Sequence, residues 1–294
     1  YHTPMQYKIN FIQNSYRRFY KSHKKELQKA LDSCMKDGRL ILRQEVSELE
    51  DNMAKYTKTK YGAGVNSGTD ALFLSILALG IKGNWDYLLK KVYAGELTIE
   101  KAEKQFEGDE VITVAHTFIA SIQAIVHNGA KPILIDVGKD ELMDVNQIET
   151  AITKRTKAIM PVHFHGKVCN MDVIMRLAKK YNLYVIEDAC QALGSSYKGK
   201  AAGSFGDTGC FSFNTPKLMG GWGDGGVVVT KNRKLIEKIY LLRNHWNLAQ
   251  TSVRIQDFPT PPIVHWAWKS RLDNIQAAML NVSIIIICSP AGKE

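Results

Sequence analysis

Lys217 lies between an apolar run at 210–213 and the glycine-rich segment GGWGDGG at 220–226, a position that raises the question of a chemical role. A lysine in a loop is most often solvated, and this structural interpretation stays open. A lysine with a lowered pKa can instead form a Schiff base with a carbonyl group and move protons. Which of the two interpretations holds therefore depends on the residues that lie next to Lys217 in the fold.

A second candidate is the segment Ser67-Gly68-Thr69, which precedes a helical run at 71–79. Free backbone N–H groups and the positive end of the helix dipole favour an anion at such a helix start, although the same residues are ordinary helix caps. A third candidate is Asp188, which ends the run YVIED at 184–188, with Gln191 one helical turn later. Helix capping competes there with pairing to a buried cationic group.

An anion site, a carboxylate and a lysine match the phosphate, the protonatable ring nitrogen and the aldehyde of one cofactor, pyridoxal 5'-phosphate. In that arrangement Asp188 keeps the pyridine nitrogen protonated, and Lys217 forms the Schiff base. Phe118 follows an apolar run at 110–114 and could stack on the ring. The three candidates therefore predict one cofactor site when they are taken together.

The elements that must position these residues alternate between strands and helices. Strands are predicted at 110–114, 131–136, 157–162, 183–187, 208–213 and 225–230, and helices between them at 119–127, 144–153 and 171–181. This alternation predicts an α/β fold with a mainly parallel sheet and helices on both faces, in which ligands bind at the carboxyl ends of strands. Residues 22–57 are expected to be helical, with a break at Asp37-Gly38 and a second helix from about Gln44.

The chain is predicted to have three parts. Residues 1–60 form an N-terminal helical segment, residues 61–280 form the large domain, and residues 281–294 form a divergent, truncated tail whose β-branched run is expected to end the preceding helix abruptly. Residues 82–107 are rich in lysine and glutamate and are interpreted as a helical surface insertion, with an oligomer contact as the alternative.

Composition narrows the function classes. The 294 residues are 45% hydrophobic with a formal net charge of +10, which is ordinary for a globular protein and permits anionic partners. No zinc-finger spacing or RNA-binding motif is present, so no nucleic-acid partner is expected. Scattered cysteines favour a reducing, cytoplasmic compartment, and no apolar run is long enough for a membrane span. His163 and His165 lack further ligands in the sequence, so no metal is expected.

Six ordered segments resemble the DegT/DnrJ-type pyridoxal-phosphate aminotransferases, which act on nucleotide-linked keto-sugars. The segments are GVNSGTDAL at 64–72, GDEVITVAHTFIAS at 108–121, PVHFHG at 161–166, VIEDACQALG at 185–194, GDTGCFSFNTPKLMGGWGDGG at 206–226 and SRLDNIQAAML at 270–280. Each segment is weak evidence alone, whereas six in the same order are specific. The resemblance covers residues 21–280 and implies the large domain of the fold type I, aspartate aminotransferase-like transferases.

The resemblance also implies roles for single residues. Those implied to bind the cofactor phosphate are Gly68, Thr69 and Ser212. Those implied to meet the ring are Phe118, Asp188, Gln191 and Lys217. Within this second set Phe118 stacks on the ring, Asp188 pairs with the pyridine nitrogen, Gln191 contacts the ring hydroxyl, and Lys217 carries the cofactor.

The implied reaction moves an amino group from glutamate to the carbonyl of a nucleotide-linked keto-sugar, in polysaccharide biosynthesis, at a site formed between the two subunits of a homodimer. A related branch of the family, which dehydrates sugars, has histidine where this chain has Lys217, so the lysine favours amino transfer. Dehydration on the same fold and a truncated, non-catalytic protein that keeps the fold remain the alternatives.

Three departures from the family pattern bear on activity. Lys269 stands where the family usually has an asparagine that reaches the phosphate in the neighbouring subunit, and Arg43-Gln44-Glu45 stands for Gly-Pro-Glu. A lysine can still bind phosphate as a point charge. After residue 280 the sequence no longer follows the small C-terminal domain that helps to cover the family's active site.

Overall fold

The structure is a computed structural model that describes residues 11–38, 40–246 and 267–288. Residues 1–10 of the predicted N-terminal segment and 289–294 of the predicted tail lie outside the described residues. The helices are α1 (Phe11–Ser22), α2 (Lys24–Asp37), α3 (Gln44–Tyr56), α4 (Gly68–Ala78), α5 (Trp85–Tyr93), α6 (Ile99–Gln105), α7 (Ala120–His127), α8 (Val145–Ala151), α9 (Met171–Tyr181), α10 (Arg233–Leu242) and α11 (Asn274–Cys288). The strands are β1 (Tyr61–Val65), β2 (Glu110–Val114), β3 (Lys131–Ile135), β4 (Thr156–Ile159), β5 (Tyr184–Asp188), β6 (Ser196–Tyr197), β7 (Lys200–Ala201), β8 (Thr208–Ser212) and β9 (Gly226–Thr230).

A seven-stranded sheet in the order β1-β9-β8-β5-β4-β2-β3 forms the centre of the described chain, and β6 and β7 form a small separate hairpin. The pairs β8–β5, β5–β4, β4–β2 and β2–β3 are parallel. Strand β9 is antiparallel to both of its neighbours, β1 and β8. All the other strands of the sheet therefore share one direction, which confirms the predicted α/β fold with a mainly parallel sheet.

Helices cover both faces of the sheet, as predicted, because alternate strand residues point to opposite sides. In β9, Val228 packs in a core cluster with α4, α7 and α10. Its neighbours Val227 and Val229 pack on the other face in a cluster with α3 and α11. Helices α8 and α9 cover the same side through a third cluster around Val185 of β5.

The six predicted strands are confirmed, but the sequence interpretation missed β1. Its sequence, YGAGV, contains two glycines, and glycine is depleted in strands. The structure explains the first of them, because a Cβ at Gly62 would come within 2.5 Å of the backbone oxygen of Glu50. Close packing of α3 on β1 therefore requires glycine, the residue type that makes this strand hard to predict from sequence.

The expectation that the β-branched run near residue 284 ends the last helix is wrong. Helix α11 continues through this run to Cys288. Ile284 is buried in the cluster with α3, and Asn281 donates through Nδ2 to the backbone oxygen of Glu45 at 2.9 Å. Tertiary packing of this kind outweighs the few tenths of a kilocalorie by which β-branched residues disfavour a helix.

Residues 82–107 form α5 and α6, which pack on each other through the buried side chains of Trp85, Leu88, Ala102 and Phe106. Val126 of α7 packs against this small cluster, so the two helices contact α7, which covers the central sheet. The boundaries of the predicted parts of the chain stay predictions. Within the described residues, no helix combines the length and the apolar character that crossing a membrane requires.

Candidate active site

A cavity of about 290 Å³ opens at the carboxyl ends of β5 and β8, beside the first turn of α4. The parallel strand directions bring these segments to one edge of the sheet, where the fold class is expected to bind ligands. All seven of the predicted site residues line the cavity: Gly68, Thr69, Phe118, Asp188, Gln191, Ser212 and Lys217. The structure therefore brings together residues that lie far apart in the sequence.

The first turn of α4 forms one wall. Ser67 is its N-cap, and its hydroxyl accepts a hydrogen bond from the amide of Asp70 at 3.1 Å. A Cβ at Gly68 would lie 2.6 Å from Ser212 Cβ and 2.9 Å from Cys190 Sγ, so glycine allows both residues to approach the helix start. The first-turn amides have no acceptor within the helix and are suited to an anion.

Asp188 ends β5 and is only 6% exposed. Its Oδ2 accepts a hydrogen bond from Ser121 Oγ at 2.7 Å, and its Oδ1 accepts one from the Cys190 amide at 3.2 Å. The Thr117 hydroxyl lies 2.8 Å from Ser121 Oγ. Because Ser121 has one hydroxyl proton, its donation to Asp188 leaves Thr117 as the donor to Ser121. Both partners of the carboxylate are neutral, so its charge favours a cation in the cavity.

A buried histidine–glutamate pair lies next to Asp188, because Glu187 precedes Asp188 in β5. His163 Nε2 and Glu187 Oε2 are 3.0 Å apart, and both side chains are fully buried. The amide of Cys169 donates to His163 Nδ1 at 3.3 Å, which places the ring proton on Nε2, facing Glu187. The amide of His163 donates to the backbone oxygen of Asp188 at 3.0 Å, so the pair is connected to the end of β5.

Glu187 also holds the loop that follows β7. Its Oε1 accepts hydrogen bonds from the amides of Phe205 and Gly206, at 2.6 and 2.7 Å, and its Oε2 accepts one from Gly203 at 2.8 Å. The sequence interpretation considered His163 without a carboxylate partner. Glu187 is that partner, and the alternation of the strand, which turns residue 187 away from the face of Asp188, was the signal that could have found it.

Lys217 lies in the loop between β8 and β9 and is half-buried against the cavity. Its amide donates to the backbone oxygen of Asn214 at 2.9 Å. Asn214 in turn donates through Nδ2 to Asp224 Oδ1 at 2.9 Å, which closes the two ends of the loop on each other. Asn214 and Asp224 both line the cavity, and the sequence interpretation missed them.

Phe118 and Gln191, the two remaining residues predicted to meet the cofactor ring, differ in how firmly they are held. Phe118 is 67% exposed at the mouth of the cavity. Gln191 is half-buried, and its Oε1 accepts a hydrogen bond from the His165 amide at 3.2 Å. His165 has a left-handed backbone with φ of 50°. Gln191 therefore connects the cavity to the turn at 164–166.

The two point departures from the family pattern lie away from the cavity lining. Lys269 is exposed and forms a backbone bridge with Asn244. Arg43 caps α3, and its amide donates to Asn274 Oδ1 at 2.9 Å. Glu45 Oε2 accepts from Asn274 Nδ2 at 2.6 Å, so this turn is joined to the start of α11.

Comparison with known proteins places the chain in a family. The model of the DegT/DnrJ/EryC1/StrS aminotransferase family matches residues 21–285, and the chain belongs to this family. It is 38% identical over 258 residues to the UDP-N-acetyl-3-dehydro-alpha-D-glucosamine 3-aminotransferase of Acidithiobacillus ferrooxidans, covering 87% of this chain and 60% of that protein. It is 35% identical over 266 residues to the pleiotropic regulatory protein of Geobacillus stearothermophilus, covering 90% and 62%.

The fold is similar to that of a solved family member. The crystal structure of S. venezuelae DesV in complex with a ketimine intermediate superposes with a TM-score of 0.77 at 33% identity, covering 92% of this chain and 64% of that chain. The predicted fold type I architecture is therefore confirmed. The chain spans about three fifths of the length of the curated relatives it matches.

Proposed function

We propose that the chain is the large domain of a pyridoxal 5'-phosphate-dependent aminotransferase that moves an amino group from glutamate to a nucleotide-linked keto-sugar. The observation that carries this proposal is the shared cavity, in which a lysine, a buried carboxylate and a helix start face one another. The three groups match the aldehyde, the ring nitrogen and the phosphate of the cofactor.

The residues fit the cofactor at its phosphate end. The bare Cα of Gly68 leaves space beside Ser212 that a Cβ would fill, and the first-turn amides of α4 stand next to it. Gly68, Thr69 and Ser212 would hold the phosphate there, because the helix dipole and unpaired N–H groups stabilise a dianion.

The residues also fit at the ring. When bound, pyridoxal phosphate supplies an electron sink and a carbonyl that accepts amines. Asp188 would hold the proton at the pyridine nitrogen, with its carboxylate oriented by Ser121 and the Cys190 amide. Gln191 would contact the ring hydroxyl, and Phe118 would cover a ring face and exclude water. Lys217 Nζ would bind at the carbonyl carbon and carry protons there.

The substrates and the assembly are part of the same proposal. A relative named for a UDP-linked keto-sugar supports a nucleotide-sugar acceptor, and the net charge of +10 suits a diphosphate group. Glutamate is the proposed donor, and polysaccharide biosynthesis is the proposed role. We propose a homodimer in which Lys269 approaches the partner's phosphate. The thiols of Cys169, Cys190 and Cys210, which form no disulfide, support a reducing, cytoplasmic setting.

The test is covalent mapping of the cofactor. Protein incubated with pyridoxal phosphate and reduced with borohydride should carry a pyridoxyl group on the peptide that contains Lys217. The Lys217→Ala variant should carry none, whereas Lys231→Ala should behave as wild type, because the Lys231 ammonium bonds to the Ser204 oxygen and does not line the cavity. Equal labelling of the Lys217→Ala variant would contradict the assignment.

Addition of glutamate separates the remaining alternatives. Release of 2-oxoglutarate from the loaded protein, followed by amination of a UDP- or dTDP-linked keto-sugar, supports amino transfer. Labelling of Lys217 without any release of 2-oxoglutarate supports a non-catalytic protein. A deoxygenated sugar product without an added amino group supports dehydration.

A further inference from the structure

Tyr16 of helix α1 contacts the loop between β8 and β9 that carries Lys217, residues 213–225, which we call the lysine loop. Tyr16 precedes the family match, which begins at residue 21. The hydroxyl of Tyr16 donates a hydrogen bond to the backbone oxygen of Thr215 at 2.5 Å and lies 3.4 Å from the backbone oxygen of Gly221. These two carbonyls stand on either side of Lys217 in the sequence. A single phenol therefore spans the segment that carries the lysine.

The loop is shaped to admit this hydroxyl. A Cβ at Gly220 would lie only 1.8 Å from Tyr16 Oη and 2.3 Å from the Thr215 oxygen. Glycine at 220 thus leaves the space that the tyrosine occupies. Burial raises the pKa of the Tyr16 phenol, which keeps its proton available as a donor.

Met219 is buried in the core cluster with α3 and α11 and anchors this side of the loop. A groove of about 360 Å³ runs behind it, lined by residues of α1, α11 and the loop itself, Lys217 included. Leu218, the next residue, is 75% exposed. The nearest hydrogen bond from α11 reaches only Trp222, whose amide donates to Gln276 Oε1 at 2.9 Å. Among the described residues, Tyr16 makes the hydrogen bond from outside the loop that lies closest to Lys217.

We propose that Tyr16 is a positioning residue for Lys217, and that α1 acts through it as a clasp on the lysine loop. The proposal rests on the proposed function, in which Lys217 binds the cofactor carbonyl. It assigns a role in the site to a segment outside the matched family range. Without the clasp, the backbone at 215–221 samples more conformations, and Lys217 spends less time facing the cavity.

The test compares two tyrosine-to-phenylalanine substitutions on helix α1. Tyr16→Phe removes the hydroxyl that bonds to the loop. Tyr20→Phe removes a hydroxyl as well but keeps the ring that packs edge-on against Trp222, with 5.8 Å between ring centroids. Amide hydrogen exchange of residues 215–221 is measured first, without cofactor. Borohydride trapping of pyridoxal phosphate on Lys217 and binding of pyridoxamine phosphate, which has no aldehyde, are measured next.

Tyr16→Phe should speed exchange at 215–221 and slow trapping on Lys217, each by about five- to tenfold, the effect of one lost hydrogen bond. Its dissociation constant for pyridoxamine phosphate should stay within about twofold of wild type, because that ligand does not need the lysine. Tyr20→Phe should match wild type in all three measurements. Unchanged exchange in Tyr16→Phe overturns the clasp, and faster exchange with unchanged trapping overturns the positioning role.

The outcome is separable from that of the proposed function. A wild-type protein that binds neither cofactor form contradicts the aminotransferase proposal and, with it, the positioning role for Lys217. The exchange measurement on the unloaded protein still decides whether Tyr16 restrains the loop.

Discussion

At the scale of single residues, the carboxylate of Asp188 is held in one orientation by donors on both oxygens. Ser121 and the Cys190 amide donate to different oxygens, and the Thr117 hydroxyl forms a hydrogen bond with Ser121 Oγ. A carboxylate fixed in this way presents its charge in one direction, which is what electrostatic preorganisation requires. Ser121 therefore contributes to the site through Asp188.

Ser121→Ala should lower the proposed transamination rate by about tenfold, because a hydrogen bond to a charged group contributes about 1.5–3 kcal/mol and part of it is recovered by water. Affinity for pyridoxamine phosphate should change by only a few fold, since the phosphate contacts remain. Single-turnover kinetics with glutamate and a binding titration measure the two effects. Ser75→Ala is the control, because Ser75 contacts Cys210 in the core and not Asp188. Equal rates in both variants would contradict the role.

Cys190 gives a prediction about pH. Burial, and then the negative charge of Asp188, raise the pKa of the Cys190 thiol well above its usual range. Because only the thiolate reacts, alkylation of Cys190 by iodoacetamide should rise about tenfold per pH unit from pH 7 to 9.5 without reaching a plateau. Glutathione alkylated in parallel should level off as its thiol ionises. Peptide mapping measures the rate, and a plateau for Cys190 near pH 8.5 would contradict the raised pKa.

Much of the candidate site follows from residue types in sequence. Lys217, Asp188 and Ser67-Gly68-Thr69 carry recognisable chemistry, and the structure gathers them in one cavity. Ser121, Asn214 and Asp224 could not be predicted, because ordinary polar residues acquire their meaning only from the partner they meet in space. Tyr16 is the extreme case, since its partners lie 199 and 205 residues further along the chain.

At the scale of elements, the Glu187–His163 pair joins β5 to the segments at 161–169 and 203–206. Four donors converge on the two oxygens of the buried Glu187; His163 and Gly203 are buried, and Phe205 and Gly206 are half-buried. A buried carboxylate with this many donors is well compensated, and the removal of its charge leaves donors without acceptors. The end of β5, and with it Asp188, depends on that arrangement.

Glu187→Gln should lower the free energy of unfolding by about 2–4 kcal/mol, because the amide NH₂ group would face donors in place of an acceptor. Glu237→Gln is the matched change on an exposed pair with Arg233, and it should cost less than about 0.5 kcal/mol. Urea denaturation of the two variants measures the difference. A loss below 1 kcal/mol for Glu187→Gln would contradict the account.

Elements with a strong periodic pattern are predictable, and those set by packing are not. The strands β2 to β5, β8 and β9 and the helix α9 follow from apolar runs and period. Strand β1 was missed because the approach of α3 requires glycine where a strand would otherwise have a β-branched residue. The end of α11 was predicted too early, because the burial of Ile284 is not visible in propensity.

At the scale of the whole molecule, a buried ion pair connects three elements near the edge of the sheet. Arg243, which follows α10, donates through Nη1 to Glu50 of α3 at 2.5 Å and to the Gly64 oxygen of β1 at 2.7 Å. Glu50 also accepts a hydrogen bond from the Gly64 amide at 2.9 Å. In the described part of the chain, Glu50 Oε2 and Arg243 Nε and Nη2 are buried without a hydrogen-bond partner.

A double-mutant cycle tests how this pair contributes to stability. Glu50→Leu should lower the free energy of unfolding by about 3–5 kcal/mol, because it leaves the Arg243 charge buried alone. Glu50→Leu combined with Arg243→Met should lose less than the single change, since neither charge then remains. Urea denaturation measures Glu50→Leu, Arg243→Met and the double variant against wild type. A double variant that loses the sum of the two single losses would show that the residues act independently.

The antiparallel strand β9 sets the order in which the site can form. Its first residue, Gly226, pairs with Val65 on one side and Ser212 on the other. The strands that lead to the first turn of α4 and to the lysine loop, β1 and β8, are therefore joined by β9, which is synthesised long after β1. At the other end of the pairing, Tyr61 of β1 pairs with Thr230 of β9. Such high contact order slows assembly. A nascent chain on the ribosome should therefore gain the ability to capture the cofactor only after residue 230 has left the exit tunnel, so cofactor capture can serve as a reporter of completed folding.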